Sequence, residues 1–191
     1  MYGRIFRGLS PGAIAIDCGA NVGDITAMMA RRGATVHAFE PNPHAFAVLQ
    51  KRFEGNPQVH CHNQGVWNKQ DSLQLFLHRE ATAGQVEWSV GSSLLSFKGN
   101  VDANHAVKVD LIDLAAFIQS LGQPVALLKI DIEGAECEVL EQFLAADLHE
   151  RVALTVVETH DHKIPELKNR TDAIRREIKA RGINNIRLNW F

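Results

Sequence analysis

The stretch IAIDCGANVG, residues 14–23, decides how the rest of the chain is read. Ile14, Ala15 and Ile16 are an apolar run of strand length, and Asp17 stands at its carboxyl end. Gly19, Asn21 and Gly23 then make a tight turn into a helix. A parallel strand that breaks on glycines into a helix brings backbone N–H groups close to a ligand. The pattern D-x-G-x-N-x-G is not the G-x-G-x-x-G that lets backbone approach a diphosphate. A carboxylate at the lip of the turn would repel a pyrophosphate, but it suits the cationic amino group of a methionine moiety. Glu40, at the end of the next strand, is placed to accept hydrogen bonds from the two hydroxyls of a ribose. Together they favour S-adenosylmethionine over a dinucleotide. The plainer alternative is that Asp17 and Asn21 only cap the helix.

Outward from that turn, strand and helix patterns alternate. Ala13–Ile16 is the first strand, and a helix over residues 24–32 turns Ile25, Met28 and Met29 inward. Thr35–Phe39 is a second strand, Phe46, Leu49 and Phe53 mark a second helix, and Val59–His62 is a third strand. This spacing predicts right-handed crossovers and an α/β fold, a Rossmann-like, doubly wound, mostly parallel sheet. The rhythm changes at residue 63. Leu73, Leu75 and Leu77 alternate like an antiparallel strand of a hairpin, residues 79–104 are rich in loop formers, and Ala106–Val109 resumes a strand. A β-rich insertion is therefore expected between strands three and four, with Ser92 and Ser93 either lining an acceptor site or forming plain loop.

Leu111, Leu114, Ala115 and Ile118 read as a helical stripe. Val125–Ile132 is a central strand interrupted by Lys129 and Asp131; with Glu133 they share one side if the chain stays extended. Cys137, Leu140 and Leu144 face inward from the next helix. Leu154–Val157 is a fifth parallel strand ending in Glu158-Thr159-His160-Asp161-His162, followed by a helix over 171–181 and a strand over 186–188. That count ends at a sixth strand, so either the C-terminal strand pair is truncated or a further strand is hidden in the insertion. The terminal Trp190-Phe191 beside an open sheet edge predicts a homodimer.

Composition narrows the partners. At 191 residues the chain fits one domain, residues 1–191. Its 20 basic and 22 acidic residues leave a formal charge of −2, so nothing marks nucleic acid or an anionic membrane as a partner. Arg175, Arg176, Lys179 and Arg181 read as the solvated face of the last helix. The three cysteines, Cys18, Cys61 and Cys137, lie in apolar runs and read as buried thiols of a reducing compartment. With no spanning segment and no signal-peptide pattern, a cytoplasmic protein is expected.

Four stretches resemble, in order, the FkbM type of class I S-adenosylmethionine-dependent methyltransferase. They are AIDCGANVGDIT at 15–26, HAFEPNPHAF at 37–46, LLKIDIEGAE at 127–136 and VVETH at 156–160. Looser similarity covers Asn63–Trp67, GSSLL at 91–95 and VDLIDLAAFI at 109–118. The resemblance implies that Asp17, Gly19, Asn21 and Gly23 hold the methionine part of the cofactor and that Glu40 binds its ribose. Pro41 and Asn42 would flank the adenine, with Asn63, Gly65 and Val66 as the far wall. It further implies O-methylation of a hydroxyl on a sugar, glycan or natural-product small molecule. An N-methyltransferase of a small amine and a non-catalytic cofactor-binding protein of the same fold are the alternatives.

Asp131 is the first candidate base, because its strand end faces the transferred methyl in the class I layout; Glu133 shares its side. Lys129 is a candidate buried partner that keeps Asp131 ionised, and His160 a second candidate base. Glu158, His160, Asp131 and His162 would also suit a divalent ion. A His-x-His spacing arises readily among nine histidines, however, and no metal is assigned.

Overall fold

The computed structural model describes residues 2–78 and 101–188. Its main sheet has six strands: β1 (Ile14–Cys18), β2 (Thr35–Phe39), β3 (Val59–His62), β7 (Val125–Ile130), β8 (Thr155–Val157) and β9 (Ile186–Leu188). They lie in the order β3-β2-β1-β7-β8-β9, and every pairing is parallel. β1 is central and buried along its whole length. Strand order reverses between β1 and β7, so the crevice at a doubly wound sheet's switch point opens at their carboxyl ends.

Helices cover both faces. α1 (Asp24–Ala30), α2 (Pro43–Arg52) and the 3-10 turn Tyr2–Gly8 pack on one. α3 (Leu114–Ser120), α4 (Glu136–Ala145) and α5 (Lys168–Ala180) pack on the other. Alternation along β1 serves both cores: Ile14, Ile16 and Cys18 enter one cluster and Ala15 the other. A parallel sheet between two helical layers is the doubly wound α/β fold that the alternating pattern predicts. No helix among the described residues is long and apolar enough to cross a membrane.

The insertion between the third and fourth strands of the main sheet is a separate sheet. β4 (Gly65–Trp67) pairs parallel with β6 (Val101–Asp113), and β5 (Asp71–His78) pairs antiparallel with it. Two sequence expectations need correcting here. Leu111 belongs to β6, where it is paired with both Gly65 and Asp71, and α3 starts only after Asp113 caps it by accepting from Ala116 N at 2.9 Å. β7 ends at Ile130, and Glu133 adopts a left-handed conformation (φ 57°), so it does not continue the alternation of Lys129 and Asp131. Ser92, Ser93, Trp190 and Phe191 lie outside the described residues.

Candidate active site

The glycine turn after β1 is built against the end of β7. Gly19 has φ 76°, and a Cβ there would stand 1.9 Å from the backbone oxygen of Asp131. Gly23, the cap of α1 at φ 89°, would drive a Cβ into Phe53 and Leu49 at 2.6 and 2.7 Å. Asn21 takes φ 48° between them, which an asparagine tolerates better than a branched residue. Only this residue pattern lets the turn close on both neighbours.

Asp17 lies behind that turn rather than at its lip. Its side chain is fully buried, because it shares the inward face of β1 with Ala15. Oδ2 accepts from Thr26 Oγ1 of α1 at 2.7 Å, and Oδ1 is 3.3 Å from Lys129 Nζ. Lys129 is its register partner on β7, and the ammonium also donates to the carbonyls of Cys18 (3.1 Å) and Gly19 (2.7 Å). On its other side it lies 3.4 Å from Asp131 Oδ2. Burial alone would lower the Lys129 pKa, but the Asp17 and Asp131 carboxylates outweigh it and hold it above the ordinary ammonium range. Lys129 is thus a fixed cation that ties β1, the turn and the start of the Asp131 loop together.

Glu40 bridges the turn to the next loop. Its carboxylate accepts from Asn21 N at 2.8 Å and from Asn42 N at 2.9 Å. Burial pushes its pKa up to about 7 in spite of those two donors. Asn42 Oδ1 caps α2 by accepting from His44 N, while Asn63 Nδ2 donates to the carbonyl of Glu40 at 2.9 Å. Gly65 packs against Leu111 and Pro41, and Val66 is buried beneath. The residues expected to surround a nucleoside, Glu40, Pro41, Asn42, Asn63, Gly65 and Val66, therefore come together at the carboxyl ends of β2 and β3.

A second polar cluster lies across the switch point. The His160 side chain, after β8, is buried, and its Nδ1 is 2.9 Å from Glu136 Oε1. Glu136, at the start of α4, is 2% exposed and also accepts from the backbone N–H groups of Ile132 and Gly134, each at 3.1 Å. His160 Nε2 faces Glu133 Oε2 at 3.3 Å and Asp131 Oδ1 and Glu158 Oε1 at 3.8 Å. Burial would lower the His160 pKa, but the Glu136 bond and the surrounding carboxylates raise it instead. The side chains of Asp131, Glu133 and Glu158 retain 24%, 20% and 21% of their exposure, so they and not the imidazole present themselves to the crevice.

His162 is exposed, its ring centroid 6.4 Å from that of His160, and it stands outside this cluster. Glu133, rather than His162, stands beside His160 Nε2 with Asp131. Arg175 is a further departure: half-buried rather than on a solvated face, it donates to Asp161 at 3.0 Å, and Asp161 accepts from Thr159 at 2.8 Å. It thereby braces the loop that carries His160. A separate cavity of about 700 Å3 lies beside the edge strand β3, lined in part by Phe53, Asn56, Pro57 and Cys61, where that strand begins. It gathers none of these charged groups.

Thr26 and Glu136 were not singled out from sequence. Glu136 closes the LLKIDIEGAE stretch, and its place at the first turn of a helix right after that motif was the available signal.

Comparison with known proteins places these features in a family. The profile of the methyltransferase FkbM domain matches residues 17–183. Methyltransferase 1 of Beauveria bassiana (strain ARSEF 2860) is 30% identical over 141 residues, which cover 65% of this chain and 56% of that protein. The 31-O-demethyl-FK506 methyltransferase FkbM of Streptomyces tacrolimicus is 27% identical over 183 residues, 80% of this chain and 67% of that protein. The crystal structure of methyltransferase FkbM from Methylobacillus flagellatus KT is similar in fold, with a TM-score of 0.52 at 18% identity, over 92% of this chain and 40% of that one. The chain thus spans little more than half the length of the Beauveria relative.

Proposed function

The chain belongs to the FkbM methyltransferase family, and from that premise we propose that it transfers the methyl group of S-adenosylmethionine to a hydroxyl of a sugar, glycan or natural-product acceptor. The observation that carries the proposal is the Lys129 junction. One buried cation joins Asp17, the carbonyls of the glycine turn and Asp131, so a cofactor cradle and an acidic group share a single rigid support. The Streptomyces relative, whose name specifies a 31-O-demethyl substrate, supports oxygen as the acceptor atom.

The residues present fit such a cofactor. The turn at Gly19 has no room for a Cβ, and Glu40 stands buried at the end of β2 with its carboxylate steadied by two amides. Gly19, Asn21 and Gly23 would hold the methionine end, with Asp17 fixing the turn from behind through Thr26 and Lys129. Glu40 would bind the ribose hydroxyls, and Pro41, Asn42, Asn63, Gly65 and Val66 would enclose the adenine. Once bound, S-adenosylmethionine supplies a methyl already activated on a sulfonium. What remains for the chain is to align the acceptor oxygen and to take up its proton. Asp131, next to the turn and open to the crevice, is the group for that proton. Glu133 and Glu158 line the same opening. Lys129 and His160 act as positioning residues, since both reach the crevice only through carboxylates.

Calorimetry with S-adenosylhomocysteine tests the cofactor, and transfer of a tritiated methyl to a panel of hydroxylated and amine acceptors tests the reaction. Wild-type protein should bind S-adenosylhomocysteine and label hydroxyl compounds. Asp131→Asn should keep that binding within about twofold while losing about 100-fold in transfer, the scale of a general base. No binding by wild type would sink the cofactor assignment; labelling of amines alone would replace oxygen by nitrogen. Full turnover in Asp131→Asn would move proton uptake to Glu133 or Glu158.

A further inference from the structure

We propose that Asp131, Glu133 and His160, with Glu158 at their edge, form a binding site for a divalent cation of the Mn2+ or Mg2+ kind. The starting point is the imidazole. Glu136 already accepts backbone N–H bonds from Ile132 and Gly134, so in its contact with His160 the ring Nδ1 is the donor and the carboxylate the acceptor. In the neutral ring this puts the lone pair on Nε2, the atom a metal ion would take. His160 is 1% exposed, and Nε2 is buried with no hydrogen-bond partner of acceptable geometry among the described residues. The atoms it faces are carboxylate oxygens: Glu133 Oε2 at 3.3 Å, Asp131 Oδ1 at 3.8 Å and Glu158 Oε1 at 3.8 Å. The imidazole nitrogen and the carboxylates of Asp131 and Glu133 thus make a donor set that one cation can satisfy together.

The spacing suits an ion. Ligand atoms of Asp131, Glu133 and His160 all lie within 4.8 Å of one another. Around a divalent ion with bonds of about 2.1–2.4 Å, neighbouring ligands stand about 3–3.5 Å apart and opposite ones about 4.2–4.8 Å. The support is also that of a metal site, in which a ligating imidazole donates its other N–H to a carboxylate that is itself hydrogen-bonded. Glu136 has that position. Three carboxylates and one imidazole, with no thiolate, select a hard to borderline cation. Lys129 neutralises the other oxygen of Asp131, Oδ2 at 3.4 Å, and leaves Oδ1 directed at the cluster.

Cation binding stands on this geometry alone. Its use in the reaction, lowering the pKa of an acceptor hydroxyl bound to the ion, would make Asp131 a ligand and leave Glu158 to take up the proton, and it rests on the O-methyl transfer proposed above.

Chelator-treated full-length chain is titrated with Mn2+, and the loss of the free-ion electron paramagnetic resonance signal is read. The expected result is one ion per chain, with affinity reduced at least tenfold in Glu133→Gln and by less in Glu158→Gln. Both side chains are partly exposed, and unchanged S-adenosylhomocysteine binding serves as the check that each variant is folded. His160→Gln should abolish the site. An undiminished Mn2+ signal with wild type, or equal binding by the variants, overturns the site even if S-adenosylhomocysteine binds normally. If Mn2+ binds and methyl transfer is lost in EDTA and restored by Mn2+ or Mg2+, the catalytic use is supported. Transfer unaffected by EDTA overturns that use. Absence of S-adenosylhomocysteine binding beside intact Mn2+ binding counts instead against the proposed function.

Discussion

Asp17 and Glu40 are both acids beside the glycine turn, and burial gives them different work. Asp17 is matched by a fixed cation and a hydroxyl, so it is part of the frame. Glu40 has two amides but no cation in contact among the described residues, and burial raises its pKa from 4.5 to about 7. The sign follows from linkage. Between those values the folded chain holds a proton that the unfolded chain has released, so Glu40's contribution to stability is full below about 4.5 and is lost as pH rises through about 7. Ribose hydroxyls need an ionised acceptor, so binding runs the other way. Affinity for S-adenosylhomocysteine should rise about tenfold between roughly pH 6 and pH 8, while the unliganded protein's melting temperature declines over the same interval. Calorimetry and melting curves across that range check both slopes. Glu40→Gln should bind weakly at all pH values and flatten the two together; a slope that survives the substitution would belong to another group. Asp17, Lys129, Glu40 and Asp131 were legible in the sequence because a charge inside or just after an apolar strand run is conspicuous. Thr26 and Glu136 were not. Each is a polar residue in a helix's first turns, a place where polar residues are ordinary until tertiary packing buries them.

At the scale of elements, the long periodic pieces were readable and the short or bent ones were not. β2, β3 and β9 have the bounds their apolar runs suggest. β4 has three residues, too few for any period to show, and it exists because β6 supplies a parallel partner. The Asp131–Gly134 loop defeated the alternation rule because Glu133 turns left-handed, and that turn is what swings its carboxylate to His160. The β2–β3 pair carries its own consequence. His37 and His62 sit on neighbouring strands, with His37 Nδ1 and His62 Nε2 3.3 Å apart and His60 stacked on His37 at 4.9 Å. Burial, then the neighbouring imidazoles, lower the pKa of His37 from 6.5 to about 4, and His62 shifts the same way. The folded state therefore takes up fewer protons than the unfolded chain between those values. Stability should be full above about 6.5 and fall as the pH drops toward 4. Urea midpoints measured across that window should shift downward with acid, and His37→Asn should reduce the slope. An equal slope in the variant would place the acid sensitivity elsewhere.

Over the whole molecule, the order β3-β2-β1-β7-β8-β9 places the chemistry-bearing residues by topology alone. β1 and β7 diverge toward opposite halves of the sheet, and the opening between their carboxyl ends receives the glycine turn from one side and Asp131 from the other. Alternating strands and helices made a doubly wound, mostly parallel sheet inferable from sequence. The separate β4-β6-β5 sheet did not follow from the same pattern, because its pairings are between distant segments whose register only the folded chain defines. A ligand at the switch point touches the central strands, so its free energy should reach the global fold. At a hundredfold excess over Kd, S-adenosylhomocysteine should add about 2.7 kcal/mol to unfolding stability. Hydrogen exchange locates the effect. Amides of residues 18–24, 40–44 and 130–134 should slow on binding, while α5 and β9, whose contacts with the crevice are indirect, should exchange as before. The opposing site is the cavity near Asn56 and Pro57, at the other end of β3. Protection confined to that region would mean that the cofactor lies away from the glycine turn. Protection at the three strand ends together would tie Glu40, Gly19 and Asp131 to one bound molecule.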